Sequence, residues 1–192
     1  MRYYLDTEFI DDGRVLDLVS IALVDDDGRE YYAVSQEFDP AKASDWCRAH
    51  VLSRLEPRSD QVWRDRRTIA DDLRAFVAAD DHPVFWTWNG AHDWVLLTHL
   101  FGRPEDRPPG WPPYARDLRQ WSDALGNPKH PTLDDALAHH ALEDARWTRQ
   151  VHDALLEAHR TRQAAADRRL RDRIIEQIRE GAVSQAPAPR QG

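Results

Sequence analysis

The stretch from Tyr3 to Phe9 places two carboxylates, Asp6 and Glu8, inside a short run of aromatic and aliphatic residues. This composition predicts a β-strand. Because strand side chains alternate between faces, both carboxylates point the same way. Two charges on one face of a buried strand repel each other and are costly to desolvate, and a hard divalent cation, Mg²⁺ or Mn²⁺, would offset both effects. Alternatively, Glu8 ends the strand in water and Asp6 caps a turn. This alternative stays open because short acidic pairs are common in sequences.

The overall composition limits the classes of protein to consider. A length of 192 residues suits one domain with a sizeable core. The net charge of −8 argues against non-specific coating of nucleic acid, which depends on lysine and arginine. Cys47 is the single cysteine, which excludes an internal disulfide and a cysteine-rich zinc site and fits a reducing cytoplasm. No apolar run is long enough to span a membrane and no signal peptide is recognised, so we predict a cytoplasmic protein.

The order of the predicted elements indicates the fold class. Three strands come first, at residues 3–9, 15–24 and 30–34, and two more follow at 84–88 and 114–118. Helices are predicted at 40–51, after Asn89-Gly90, at 119–125 and from Ala141 onward. Thr68 is expected to cap a further helix, with Asp71 in the capping-box position. Leading strands followed by alternating helices and strands predict an α/β fold whose mixed five-stranded sheet is flanked by helices.

The C-terminal part of the chain has a different pattern from the rest. Residues 1–160 contain all the predicted strands and are assigned to one domain. Residues 161–180 continue the long helix as a charged extension, on which Leu170, Ile174 and Ile178 form a narrow apolar stripe. This stripe could pack on the domain or on a partner chain. Residues 181–192 are small, polar and proline-bearing, and we expect them to be disordered.

Two further acidic residues lie where an α/β fold would bring them to the first strand. Asp93 is predicted in the first turn of the helix that follows Asn89-Gly90, and Asp144 lies in the long helix. Such folds draw their ligands from strand ends and adjacent helices, so both can converge on Asp6 and Glu8. Four carboxylates suit a two-metal site, whose ions lie about 3.5–4 Å apart and promote in-line displacement at phosphorus.

A histidine is then needed to accept a proton from the attacking water. Two adjacent candidates precede Asp144. His140 lies four residues before it and would share its helix face, whereas His139 lies five before it and would point elsewhere in a regular helix. His139 is therefore expected on the loop that leads into the helix, where it could approach the metal site from the side.

These residues resemble a known family. Asp6-Thr7-Glu8, Asn89 through Asp93, and His139 through Ala145 are similar to the three motifs of the DEDDh 3′–5′ exonucleases, the RNase T-like branch of the ribonuclease H-like fold. The runs Asp6 to Ile10 and Gly28 to Val34 resemble, more narrowly, the actinobacterial RNase T-like exoribonucleases. The resemblance covers about residues 1 to 156, a normal domain size. In this family the third motif is a histidine, four residues and an aspartate, which selects His139.

The resemblance implies a set of roles. Asp6 would bridge two Mg²⁺ ions, with Mn²⁺ as a possible substitute, and Glu8, Asp93 and Asp144 would complete the metal site. His139 would deprotonate the water that attacks RNA 3′ ends, and the product would be a nucleoside 5′-monophosphate. The resemblance also suggests a homodimer active in RNA processing.

The expected substrate contacts are Thr7, Phe9 and Trp63. Phe9 would pack against the terminal nucleotide. Trp63 lies within the basic segment 58–67, where it could stack on a base or could simply belong to the core. The sequence departs from the family at Phe9-Ile10, where many relatives have Thr-Gly, and at His92, where an aromatic residue is common. The pair at Phe9-Ile10 contacts the terminal nucleotide in the family, so this departure concerns the preference for base or sugar.

Two alternatives remain open at this stage. The same chemistry could act on DNA or on very short oligonucleotides. In a different class, the chain could be a nucleotide- or RNA-binding module that no longer cleaves, although all five motif residues are present.

Overall fold

The computed structural model of this chain describes residues 1–184, with side chains as far as residue 178. Within that part, one mixed sheet contains six strands: β1 (Arg2–Asp11), β2 (Leu16–Asp25), β3 (Glu30–Ser35), β4 (Trp63–Arg64), β5 (Val84–Thr87) and β6 (Arg116–Asp117). Their order across the sheet is β4-β3-β2-β1-β5-β6. The central strand β1 is antiparallel to β2 and parallel to β5. The predicted α/β fold with a mixed sheet is therefore confirmed, and the order is compatible with a ribonuclease H-like fold.

The sheet has one strand more than the five expected from the sequence. The additional strand, β4, has only two residues and pairs in parallel with Val34 and Ser35 at the end of β3. A strand this short shows no alternation of side chains, so no periodic pattern could reveal it.

Five α-helices and three short 3₁₀ turns accompany the sheet in the described residues. The helices are α1 (Asp45–His50), α2 (Arg66–Val77), α3 (Ala91–His99), α4 (Leu118–Ala124) and α5 (Ala141–Ser184). The 3₁₀ turns lie at Pro40–Lys42, Leu52–Arg54 and Pro104–Asp106. Helices α2 and α3 contribute to the core on one face of the sheet, and α4 and α5 to the core on the other. Helix α1 and β4 share a third cluster at the far edge.

Two helix starts differ from the expectation. The predicted helix at 40–51 is divided, because Ser44 caps a new helix by accepting a hydrogen bond from the Cys47 N–H. Helix α2 begins before Thr68, because Asp65 is its N-cap and accepts from the Thr68 N–H. An aspartate is at least as good a cap as threonine, and the residue nearer the loop takes the role here.

Strand β1 positions the acidic pair. Tyr3 and Leu5 belong to the core under α2 and α3, whereas Tyr4 belongs to the core under α5. Asp6 and Glu8 follow the parity of Tyr4, so they face the side of α5. The pairing of β1 with β2 shifts register between Glu8 and Phe9. This bulge lies at the end of the strand where the carboxylates are presented.

The long helix α5 extends well past the domain as a single element of 44 residues. Its predicted apolar stripe is exposed, with Leu170 50%, Ile174 46% and Ile178 65% accessible. The expected boundary at residue 160 falls inside this helix, which continues to Ser184. Residues 185–192 of the predicted disordered tail lie outside the described residues. None of the helices described is both long enough and apolar enough to cross a membrane.

A buried histidine in α5 makes the stability of the fold depend on pH. His152 is 2% exposed, and its Nδ1 lies 3.1 Å from the Tyr4 hydroxyl. Burial, aided by the nearby charge of Arg2, lowers the pKa of His152 from its usual 6.5. The folded state therefore resists protonation more than the unfolded chain does. The stability from this residue is complete above about pH 6.5 and is lost as pH falls towards the folded pKa.

We expect the melting temperature of the His152→Phe variant to decrease less than that of the wild type as pH falls from 7.5 to 5.5. The ring would still pack against Trp86, whose centroid lies 4.9 Å from that of His152. The Tyr4 hydroxyl would keep its hydrogen bond to Asp26. Thermal unfolding of both proteins across this range measures the difference. Parallel pH profiles would show that His152 does not contribute to acid sensitivity.

Candidate active site

Three carboxylates meet at the C-terminal end of β1. Asp6 and Glu8 come from the strand, and Asp144 comes from the first turn of α5. Each offers a carboxylate oxygen, and these oxygens all lie within 4.8 Å of one another. The structure thus brings together three of the four acidic residues expected at the site.

The fourth, Asp93, lies on the wall of the same cavity but is held by Thr7. Asp93 is 7% exposed in the first turn of α3. Its Oδ1 accepts hydrogen bonds from the Thr7 N–H at 3.0 Å and from the Thr7 hydroxyl at 2.5 Å. Thr7 was expected to contact the substrate, and it lines the cavity. Its two hydrogen bonds orient the Asp93 carboxylate.

A tight turn allows α3 to start directly after β5 and bring Asp93 to the site. Asn89 adopts a left-handed conformation with φ of 58°. The Gly90 N–H donates to Asp117 Oδ2 at 3.2 Å. A Cβ atom at position 90 would lie 2.1 Å from the Thr87 Cβ, so only glycine fits between the two elements. The close approach of α3 to β5 explains why the sequence has Asn-Gly after this strand.

The electrostatics of the cluster favour a cation between the carboxylates. Burial, followed by the charges of Asp93, Asp144 and Glu8, raises the pKa of Asp6 well above its usual value. Burial and the same kind of repulsion raise the pKa of Glu8 to about 8. Desolvated, mutually repelling oxygen donors are the ligand set that a hard divalent ion stabilises. The acidic cluster is therefore compatible with a divalent metal.

The two candidate histidines occupy different places. Both precede α5, which begins at Ala141, so neither lies on the helical face of Asp144. His139 has a left-handed backbone with φ of 64° and lines the cavity. Its ring meets Trp46 edge-on, with centroids 4.8 Å apart. His139 thus lies on the loop, as the spacing predicted.

His140 is turned away from the cavity and held by other side chains. Its ring stacks on Tyr32 with centroids 4.8 Å apart, and its Nε2 lies 3.1 Å from Glu56 Oε1. The Tyr32 hydroxyl donates to the same carboxylate at 2.9 Å. Only the backbone of His140 reaches the cluster, because its N–H donates to Asp144 Oδ2 at 3.0 Å. This bond orients the carboxylate and opposes the rise that burial causes in the pKa of Asp144.

The cavity above the carboxylates has an aromatic rim and a volume of about 420 Å³. Phe9 lies on its wall and is braced edge-on by His92, with ring centroids 5.2 Å apart. Trp46 and Trp88 line it as well. Trp46 is 53% exposed and stacks on His50 at 4.8 Å. Such surfaces suit the flat faces of nucleobases.

Trp63 is not part of this cavity, contrary to its expected role as a substrate contact. It is 6% exposed in β4 and stacks on Phe38 in the core. Its indole N–H donates to the carbonyls of Glu56 and Pro57, each at 3.1 Å. Arg58 covers the outer face of the ring at 4.6 Å. Of the two positions that the sequence left open for Trp63, the structure shows the one in the core.

Sequence reasoning missed Trp46 as a residue of the cavity. It lies on the six-residue helix α1, far along the chain from the motifs. The one available signal was a large aromatic residue in a polar segment, which by itself does not identify a partner. Only the folded chain brings Trp46 against His139.

Comparison with known proteins gives two findings. A protein-family model described as the 3′–5′ exoribonuclease Rv2179c-like domain matches residues 1–156. Two curated relatives come from strains of Mycobacterium tuberculosis: 3′–5′ exoribonuclease MT2234.1 from CDC 1551 / Oshkosh, and 3′–5′ exoribonuclease Rv2179c from ATCC 25618 / H37Rv. Each is 47% identical to this chain over 148 residues, which covers 76% of this chain and 88% of the relative. The matched domain ends inside α5, before the exposed half of the helix.

Proposed function

Because the chain belongs to the Rv2179c-like 3′–5′ exoribonuclease domain family, we propose that it removes nucleotides from RNA 3′ ends in a metal-dependent reaction. The products are nucleoside 5′-monophosphates. The observation that carries this proposal is the cluster of Asp6, Glu8 and Asp144, whose oxygens lie within 4.8 Å of one another in an open cavity. The three DEDDh motifs of the sequence support the same assignment.

The proposed cofactor is a pair of Mg²⁺ ions, for which Mn²⁺ can substitute. Asp6, Glu8, Asp93 and Asp144 would hold these ions. When bound, such ions supply Lewis-acid stabilisation to the attacking and leaving oxygens of an in-line displacement at phosphorus. The protein contributes the fixed orientation of its ligands. Thr7 holds Asp93, and the His140 N–H holds Asp144.

His139 is the proposed general base. A neutral imidazole ring nitrogen accepts the proton of the attacking water, and the loop position lets the ring approach the cavity from the side. Phe9 packs against the terminal nucleotide, and its edge-on contact with His92 keeps the ring in place. Together these residues place the 3′ end over the carboxylates and exclude bulk water from one side.

A degradation assay tests this function. RNA labelled at its 5′ end should give a ladder of progressively shorter products, and RNA labelled at its 3′ end should release the label at once as a mononucleotide. Both reactions should stop when EDTA removes divalent ions. Parallel reactions with single- and double-stranded DNA measure the preference for ribose or deoxyribose. Internal fragments, or first release of a 5′ label, would contradict the proposed polarity, and binding without cleavage would indicate a binding module.

We also propose that the enzyme is a homodimer and acts in the cytoplasm. The exposed stripe of Leu170, Ile174 and Ile178 supports association, because a row of apolar side chains on a projecting helix is stabilised by a partner. Light scattering that gives the mass of one chain at micromolar concentration would contradict the dimer. The free, buried Cys47 fits a reducing compartment.

A further inference from the structure

A second cavity, of about 510 Å³, lies between α2 and α3 beside the start of β2. We call it the α2–α3 cleft. Its apolar wall includes Val15 and Leu16 from β2 and its approach, and Phe101 after α3. Val15 is 58% exposed. Arginines of α2 line the opposite side.

One face of α3 connects this cleft to the active-site cavity. His92 lines the active-site cavity, whereas Leu96 and His99, on the same helical face, line the cleft. The positions i, i+4 and i+7 lie along one side of a helix, and His92 and His99 are about 10 Å apart along its axis. Phe9 packs against the cluster that contains Leu96. The two cavities therefore lie about two helical turns apart along α3.

The arginines give the cleft a positive side on a protein whose net charge is −8. Arg67 is exposed in the first turn of α2, and Arg74 lies two turns later on the same face. Arg74 pairs with the exposed Asp71 and lies over the Phe101 ring at 5.3 Å. Arg66 is held at the entrance by Asp17 and by the Leu18 carbonyl.

The arginines of the basic segment 58–67 lie in different parts of the structure. Arg58 lies over the buried Trp63 and does not line the cleft, whereas Arg66 and Arg67 do. Arginines from the same segment consequently have different surroundings.

We propose that the α2–α3 cleft binds the part of the RNA strand that lies 5′ of the terminal nucleotide. Arg67 and Arg74 contact phosphates, and the apolar wall of Val15, Leu16 and Phe101 packs against bases. A positive side that faces an apolar wall suits the phosphates and bases of single-stranded nucleic acid, and the contacts need no particular base sequence. This inference rests on the proposed exoribonuclease function and adds where the rest of the substrate lies.

Comparison of a dinucleotide with a single-stranded RNA of about 12 nucleotides tests the proposal. The longer RNA is long enough to reach the cleft, since single-strand binding sites in other proteins hold about 4–16 nucleotides. The dinucleotide fills only the active-site cavity, so the Arg67→Glu and Arg74→Glu variants should hydrolyse it within twofold of the wild-type rate. The same variants should raise KM for the longer RNA about tenfold at low salt, the size of one charge-assisted contact. Loss of one phosphate contact should also lower the slope of log KM against log salt by about 0.7.

Arg58→Glu is the matched control, because it makes the same charge change in the same segment outside the cleft. Its KM for the longer RNA should stay near the wild-type value. An equal rise in Arg58→Glu would show a general electrostatic effect and overturn the cleft assignment. An unchanged KM in both cleft variants would also overturn the cleft assignment and would favour a protein partner there. If the wild type cleaves neither substrate, the proposed function itself fails, which is a distinct result.

Photo-crosslinking locates the strand independently of kinetics. The wild-type protein in EDTA binds an RNA that carries 4-thiouridine three or four nucleotides from its 3′ end. Crosslinked peptides should come from α2 or from residues 96–101 at the end of α3. Crosslinks confined to α1 or α4 would place the strand on another surface and overturn the proposal.

Discussion

The Asp6→Asn variant is expected to lose RNA hydrolysis and the thermal response to Mg²⁺ together. Asp6 lies in the middle of the acidic cluster, where its pKa is raised by burial first and then by three neighbouring carboxylates. Asparagine has nearly the same shape but carries no charge, so it removes a ligand without opening a cavity. The metal-free variant should also melt above the metal-free wild type, because one source of repulsion is gone.

The size of the metal response follows from linkage. A ligand at a hundred times its Kd stabilises the folded state by about 2.7 kcal/mol. For a chain of this length that corresponds to a rise of roughly 5–10 °C in Tm. Wild type should show this rise with Mg²⁺ or Mn²⁺, and Asp6→Asn should lose most of it. Thermal unfolding with EDTA and with increasing metal concentration measures both.

A suitable control is Asp11→Asn, because Asp11 lines the same cavity at its exposed rim but is not one of the clustered carboxylates. That variant should keep the metal response. If Asp6→Asn responds to Mg²⁺ as strongly as the wild type, the metal site lies elsewhere in the chain.

The second large effect is expected at His139. Removal of a general base typically reduces the rate about 10²–10⁴-fold, so His139→Ala should fall in that range. It should keep the metal-induced rise in Tm, because the four carboxylates are intact. His140→Ala should stay within about tenfold of the wild-type rate, a change in barrier near 1.4 kcal/mol.

His140→Ala should instead affect stability. The ring stacks on Tyr32 and approaches Glu56, and its loss leaves that carboxylate with one partner fewer. We expect a decrease of roughly 1–3 kcal/mol in the free energy of unfolding. Rate and Tm measured on the two variants therefore separate a chemical role from a structural one. An inactive His140→Ala with an active His139→Ala would show that the third motif has been assigned one residue out of register.

The long strands and the fold class could be predicted because their signals are local. Strands β1, β2 and β3 are rich in aromatic and aliphatic residues over at least six positions, and the Asp27-Gly28 turn marks the hairpin between β2 and β3. The two-residue strand β4 has no such signal, since it is defined only by its pairing with β3, whereas β6 falls inside the strand predicted at 114–118. The start of α2 was misplaced because two good capping residues lie three positions apart, and local sequence does not choose between them.

The acidic part of the site could be predicted for a similar reason. The side chains of a strand alternate between its faces, which places Asp6 and Glu8 on one face. The Asn89-Gly90 turn predicts the start of the helix that carries Asp93. The aromatic rim could not be predicted, because it depends on contacts between distant segments. Trp46 meets His139 only through the packing of α1, and Trp63 is buried against Phe38 with Arg58 over its ring.

The two halves of the uninterrupted helix α5 differ in how firmly they are held. Ala141, Ala145, Val151 and Leu155 are fully buried, so the half that carries Asp144 is fixed in the core. Ile178 lies about 35 Å beyond Leu155 along the helix axis, where the side chains are exposed. Bending of the exposed half can therefore leave the spacing of the carboxylates unchanged.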